Sequence, residues 1–278
     1  MTGSVNPPDA GSAQLGEPLP PPPAPSVVIS GLDARRAVAL LLAYVFAQIV
    51  IAIIVGLVYA LYLAFADAHL DTGHLAKRLQ APAVLLSAGT LGVLGGALLV
   101  VYMTRRFFTG TPRREAYEDL GLTRASPQNY LLAAILGISL ALVYVFLAIH
   151  FLHPGHKPPV GLFARAAAGG GFPRVLLAIL AVVIAPPIEE FLFRGAMYAG
   201  FEKTWGRSTA VLLVTVTFVL LHVSEVRTFW PGLVGIATTA LVLAAVRVRS
   251  GSLGPPIMLH AYYNLGLVFA GFTYSGRS

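Results

Sequence analysis

Two adjacent carboxylates and an arginine stand in IEEFLFRG, residues 188–195, within an otherwise apolar part of the chain. Two further stretches resemble it in setting: FVLLHVSE, with His222, and IMLHAYYN, with His260 and Asn264. Ten of the twelve acidic residues fall in tails, loops or the ends of apolar runs, and Glu189 and Glu190 alone lie well inside one. An ionisable group in hydrocarbon is costly, so one retained there marks a functional site by default.

Spacing separates the roles of the two glutamates. Glu190 and Arg194 are four apart, so on a helix they share a face, with the acid on the favourable N-terminal side. A buried guanidinium needs a carboxylate, which assigns Glu190 to Arg194 as a structural pair. Glu189 projects about 100° away and stays available for chemistry. His260 and Asn264 are also four apart and share a face. A glutamate, two imidazoles and an amide suit hydrolysis by an activated water, with Glu189 taking the water's proton. Either Glu189, His222 and His260 hold a zinc-like ion with Asn264 as a further ligand or oxyanion donor, or no metal is used. In the second case Glu189 and His222 position the water while His260 and Asn264 hold the oxyanion. The residues alone leave both open. Neither HExxH nor GxSxG occurs, so zincin and serine-hydrolase chemistry have no support.

These side chains must be carried by elements that face lipid. The chain is 56% hydrophobic and 11% charged, against about 25% charged in an ordinary soluble domain. It lacks the polar groups to cover a water-facing surface, and the expected fold is all-α, a polytopic transmembrane helix bundle around a buried polar cavity. A span needs about 20 apolar residues. Seven segments qualify, near 37–66, 81–103, 129–152, 173–200, 208–223, 230–247 and 254–273. Pro186-Pro187 should kink the fourth span or start a new helix just before Glu189. The fifth is short, and counting from the span ends places His222 at the opposite membrane face from Glu189 and His260. It is therefore expected to be irregular, over a cavity open to the cytoplasmic half.

Outside the spans, residues 1–32 form a proline-rich tail read as disordered, and residues 33–278 form the membrane domain. Phe107 and Phe108 read as an interfacial anchor, followed by a charged stretch at headgroup level. His150, His153 and His156 in HFLHPGH are explained by a wet loop rather than a metal. The net charge of +7 comes from basic residues scattered through loops, which argues against nucleic acid. With strict alternation, eleven Lys and Arg fall on the N-terminal side and seven on the other, which favours a cytoplasmic N-terminus. There is no cysteine, which excludes disulfides and thiolate metal sites.

In order, EEFLFR (189–194), FVLLH (218–222) and HAYYN (260–264) resemble the motifs of the CPBP family of intramembrane proteases, which includes the CAAX prenyl endopeptidase and the bacterial Abi-type proteins. The resemblance covers about residues 173–273. It implies an endopeptidase, metallo- or glutamate-type, in a bacterial-type plasma membrane, acting on membrane-associated and prenylated proteins. It implies Glu189, His222, His260 and Asn264 as the catalytic set, with Glu190, Arg194 and Phe218 in support. The competing readings are a non-catalytic scaffold or bacteriocin-immunity protein and an ion-coupled transporter; no internal repeat supports the latter.

Overall fold

The computed structural model describes residue 3 and residues 31–67, 71–151, 162–226 and 230–275. Nearly all of the proline-rich tail, as well as His153 and His156, lies outside the described residues. Among these, every regular element is helical. The helices are α1 (Ala34–Ala66), α2 (Thr72–Leu79), α3 (Pro82–Phe107), α4 (Arg113–Leu120), α5 (Pro127–Phe151) and α6 (Leu162–Gly169). They continue with α7 (Gly171–Trp205), α8 (Arg207–Val226), α9 (Trp230–Ser250) and α10 (Gly254–Ser275).

Six of these, α1, α3, α5, α7, α8 and α9, are long and apolar enough to cross a membrane. The seventh expected span is present as the 22-residue α10. It falls short on composition because it carries His260, Asn264 and a pair of tyrosines, the side chains that make it interesting. The helices α2, α4 and α6 are eight residues each, too short for the apolar periodicity to announce. Large apolar side chains such as Ile53, Phe65, Leu98 and Phe146 are exposed on the bundle's outside, as a lipid-facing surface requires.

Helices approach closely where small residues allow it, the usual device when lipid removes any hydrophobic drive between helices. Gly92 and Gly96 of α3 lie against Gln48 and Tyr44 of α1; a Cβ at Gly96 would come within 2.7 Å of the Tyr44 ring. Gly137 of α5 lies against the Leu259 carbonyl and Tyr263 of α10, and Ala141 against Gly266. Gly200 of α7 lies against the Asp33 carbonyl and Ala37 at the start of α1. That start is capped by Asp33, which accepts from the Arg36 amide at 2.8 Å, and the Ala34 amide donates to Thr204 Oγ1 at 3.0 Å.

The irregular helix is α7, not α8. Within α7, wide π-turns at Ile179–Ile184 and Phe191–Met197 flank the α-helical Ala185–Glu190. Pro186 and Pro187 have no N–H to give to the carbonyls one turn back, so the hydrogen-bond ladder is reset there. α8, expected to be irregular, runs as one 20-residue α-helix. Phe108 is likewise no interfacial anchor: it is buried in the main core, while the Arg36 guanidinium lies 5.3 Å from the Phe107 ring.

Candidate active site

Depth is resolved by where the turns fall. α7 does not end near residue 200 but continues to Trp205, and Gly206, at φ +82°, turns the chain into α8. Glu189 stands seventeen residues before Gly206 and His222 sixteen after it, so in an antiparallel hairpin the two are level. His260 reaches the same level from a different turn. The Leu253 amide donates to the Gly121 carbonyl at 2.8 Å, and Leu253 packs on Gly195. This draws the start of α10 up to the second π-turn of α7.

Three helices thus bring Glu189, His222 and His260 together. The Nε2 atoms of His222 and His260 each lie 3.9 Å from Glu189 Oε2. The side chains are 16%, 22% and 7% exposed respectively, enough to admit water to the carboxylate while keeping His260 enclosed. Both rings are held from behind. His222 Nδ1 lies 2.7 Å from the Phe218 carbonyl, which can only accept, so Nδ1 carries the hydrogen. His260 Nδ1 lies 2.9 Å from Glu190 Oε1 and donates to it. In the neutral rings both Nε2 lone pairs are therefore turned toward Glu189. Three acceptors face one small space, and a separation of 3.9 Å is what one bridging water spans.

Behind this trio, Arg194 Nη1 donates to Glu190 Oε1 at 3.0 Å and Arg194 Nη2 to the Ala240 carbonyl at 3.0 Å; both side chains are fully buried. Glu190 is more than the structural partner that spacing assigns it, because the same oxygen holds His260. Phe218 ties the pieces together: its ring stacks on His222 with centroids 4.3 Å apart, meets His260 edge-on at 5.9 Å, and faces the Arg194 guanidinium at 4.6 Å.

Asn264 stands one turn away from this contact. Its Nδ2 donates to the Ala181 carbonyl at 2.8 Å, in the first π-turn of α7. A separate apolar cavity of about 300 Å³, which none of the three residues lines, is bounded by Tyr44, Val101, Leu122, Pro187, Ile188 and Leu253. It lies toward the same end as the Gly251–Leu253 turn. Reasoning on charge and spacing misses Tyr44 here, because a tyrosine in an apolar run carries no distinguishing signal.

The donor types suit a zinc-like ion, and Glu189, His222 and His260 would hold it. Tetrahedral zinc with bonds of 2.0–2.1 Å sets its ligand atoms about 3.3 Å apart. The 3.9 Å separations are wider, and no group of three such side chains among the described residues is disposed to hold a metal ion. As it stands, the arrangement fits a water better than an ion.

Residues 171–266 match the family described as type II CAAX prenyl endopeptidase, Rce1-like. An uncharacterised 24.3 kDa protein of Escherichia coli is 30% identical over 134 residues, which is 46% of this chain and 61% of that protein. The chain therefore spans less than two thirds of that relative's length. No solved structure matches. The matched segment runs from the start of α7 into α10 and contains Glu189, His222, His260 and Asn264. Over residues 171–266 this chain of long apolar helices is thus similar to the type II CAAX prenyl endopeptidases.

Proposed function

We infer that the protein is an intramembrane endopeptidase that hydrolyses a peptide bond in membrane-associated proteins, C-terminally prenylated ones among them, with a water activated by Glu189. The observation that carries this is the meeting of Glu189 Oε2 with two Nε2 atoms at equal distances of 3.9 Å. A water in that space donates to Glu189 and to one imidazole. As the water's oxygen attacks the carbonyl carbon, its proton passes to Glu189. Glu189 passes that proton to Nε2 of His260, whose Nδ1–H is held by the Glu190 carboxylate, and His260 gives it to the leaving amine as the C–N bond breaks. Asn264 spends one amide hydrogen on Ala181; the second is the donor assigned to the oxyanion.

The inward-facing lone pairs support a second reading, in which Glu189, His222 and His260 would hold a zinc-like ion that would supply Lewis-acid polarisation of the carbonyl and the water. The bias of Lys and Arg toward one side supports a cytoplasmic N-terminus, with α4 and the Gly206 turn on the same side.

The test is a cleavage assay on purified protein in detergent, with prenylated and unprenylated C-terminal peptides, with and without chelator, beside the Glu189→Gln protein. Cleavage that survives chelation and is lost in Glu189→Gln is the expected result. Loss on chelation with recovery on adding zinc selects the metal reading. Cleavage undiminished in Glu189→Gln overturns both.

A further inference from the structure

Arg247 closes α9 and would ordinarily be read as a basic residue facing the cytoplasm. It is instead buried, at 6% exposure, and no ion pair among the described residues includes it. A buried guanidinium without an acid is costly unless its hydrogens are otherwise used. Here they go to main-chain carbonyls. Nε donates to Arg194 O at 3.0 Å and Nη2 to Asp119 O at 3.4 Å, while the guanidinium lies 5.4 Å from the Tyr198 ring.

Two glycines make the approach possible. Gly121, at φ +71°, lies against the guanidinium, where a Cβ would come within 2.5 Å of Arg247 Cζ. At Gly195 a Cβ would come within 3.2 Å of Leu253 Cδ1 and 3.3 Å of the Leu120 carbonyl. Around them, Ser252 Oγ donates to Thr123 O at 2.6 Å and Thr123 Oγ1 to Gly251 O at 3.1 Å. One side chain thus joins the end of α4, the second wide turn of α7 and the end of α9.

We propose that Arg247 is a positioning residue for the candidate centre: by holding the Arg194 carbonyl it fixes the wide turn that carries Arg194 and directly follows Glu190, and through Glu190 it sets the ring of His260. Each link in this chain is a hydrogen bond, from Arg247 to Arg194 O at 3.0 Å, from Arg194 to Glu190 at 3.0 Å and from His260 to Glu190 at 2.9 Å. Glu189 is the residue before Glu190, so any rotation of the turn also displaces its carboxylate. The proposal rests on reading Glu189, His222 and His260 as a catalytic centre.

Two readouts on the full chain in detergent test it. One is the downfield proton resonance of His260 Nδ1–H, identified by its loss in His260→Gln. The other is the split between kcat and KM for peptide cleavage. In Arg247→Lys and Arg247→Ala the resonance moves, and kcat falls tenfold or more with KM unchanged, since displacements of the order of 1 Å cost about a hundredfold in rate. Thr123→Val, which cuts a neighbouring link without touching Arg247, leaves both as in the wild type. If Arg247→Ala does not fold, Gly121→Ala displaces the same guanidinium and carries the test. An unmoved resonance in a folded Arg247→Lys protein overturns the proposal whatever the activity. So does a lowered melting temperature with resonance and kcat both unmoved. Should the wild type cleave no peptide, the catalytic reading fails, while the resonance still reports whether Arg247 sets His260.

Discussion

His260 and Arg194, seventy and four residues from Glu190, meet on one oxygen of its side chain: Nδ1 at 2.9 Å and Nη1 at 3.0 Å from Oε1. A single buried carboxylate therefore neutralises a guanidinium and orients an imidazole. Its neighbour Glu189 faces the other nitrogen of the same imidazole at 3.9 Å. Two consecutive glutamates thus hold the two edges of one ring, one behind it and one in front.

The two glutamates should fail differently. Glu190→Ala leaves Arg194 buried without its acid, a loss of about 3–5 kcal/mol, and should lower the melting temperature and the yield of folded protein. Glu189 is 16% exposed and is not the acid that pairs with Arg194, so the melting temperature of Glu189→Gln should stay near that of the wild type. Its cleavage rate should fall by about 10²–10⁴-fold. Thermal denaturation in detergent beside single-turnover cleavage separates the two; equal loss of stability in both would refute the division of labour.

Phe218 is the packing joint of the centre, and Phe218→Leu should show it. The substitution removes the ring stacked on His222 and the face presented to Arg194. An aromatic contact contributes about 0.5–1.5 kcal/mol and a desolvated cation–π contact about 2 kcal/mol. A loss of about 2 kcal/mol is expected, read from chemical denaturation. The His222 Nδ1 bond to the main chain survives, so cleavage should drop less than in His222→Ala.

Much of this was legible in the sequence because lipid imposes simple rules. Seven apolar segments give the seven long helices, and the Glu190–Arg194 pair follows from a spacing of four and the cost of an unpaired buried charge. What escaped was set by tertiary detail. The level of His222 depends on α7 running on through Tyr198–Trp205, a segment whose charged and aromatic residues look like a loop. The bond from His260 to Glu190 spans seventy residues and has no local signal. Arg247 looks like an ordinary basic helix end until its burial is known. The wide turns of α7 could be suspected from Pro186-Pro187, but their positions could not.

The α5–α10 contact should be intolerant of bulk. A side chain at Gly137 would run into the Leu259 carbonyl and Tyr263, the residues immediately before His260 and Asn264. Gly137→Val should therefore separate α10 from α5 at a cost of about 1–3 kcal/mol and shift His260 with it. A lowered melting temperature together with lowered kcat is expected. Gly56→Val is the control, since nothing lies within 4 Å of a Cβ at that position, and it should behave as the wild type.

Asn264 offers the sharpest contrast between geometry and charge. Its amide donates to the Ala181 carbonyl at 2.8 Å, within the first wide turn of α7. Asn264→Ala removes the donor and costs about 1 kcal/mol, the scale of one interhelical hydrogen bond within a membrane. Asn264→Asp keeps the shape but turns a carboxylate oxygen, with no hydrogen to give, toward that carbonyl. The aspartate should therefore be the less stable of the two at neutral pH and should recover as the pH falls through its titration, when the protonated acid can donate again. Melting curves of both variants between acid and neutral pH check this. A bond to Ala181 that matters predicts a pH-dependent gap between them, whereas identical curves at every pH would show that the amide's partner in the working protein lies elsewhere.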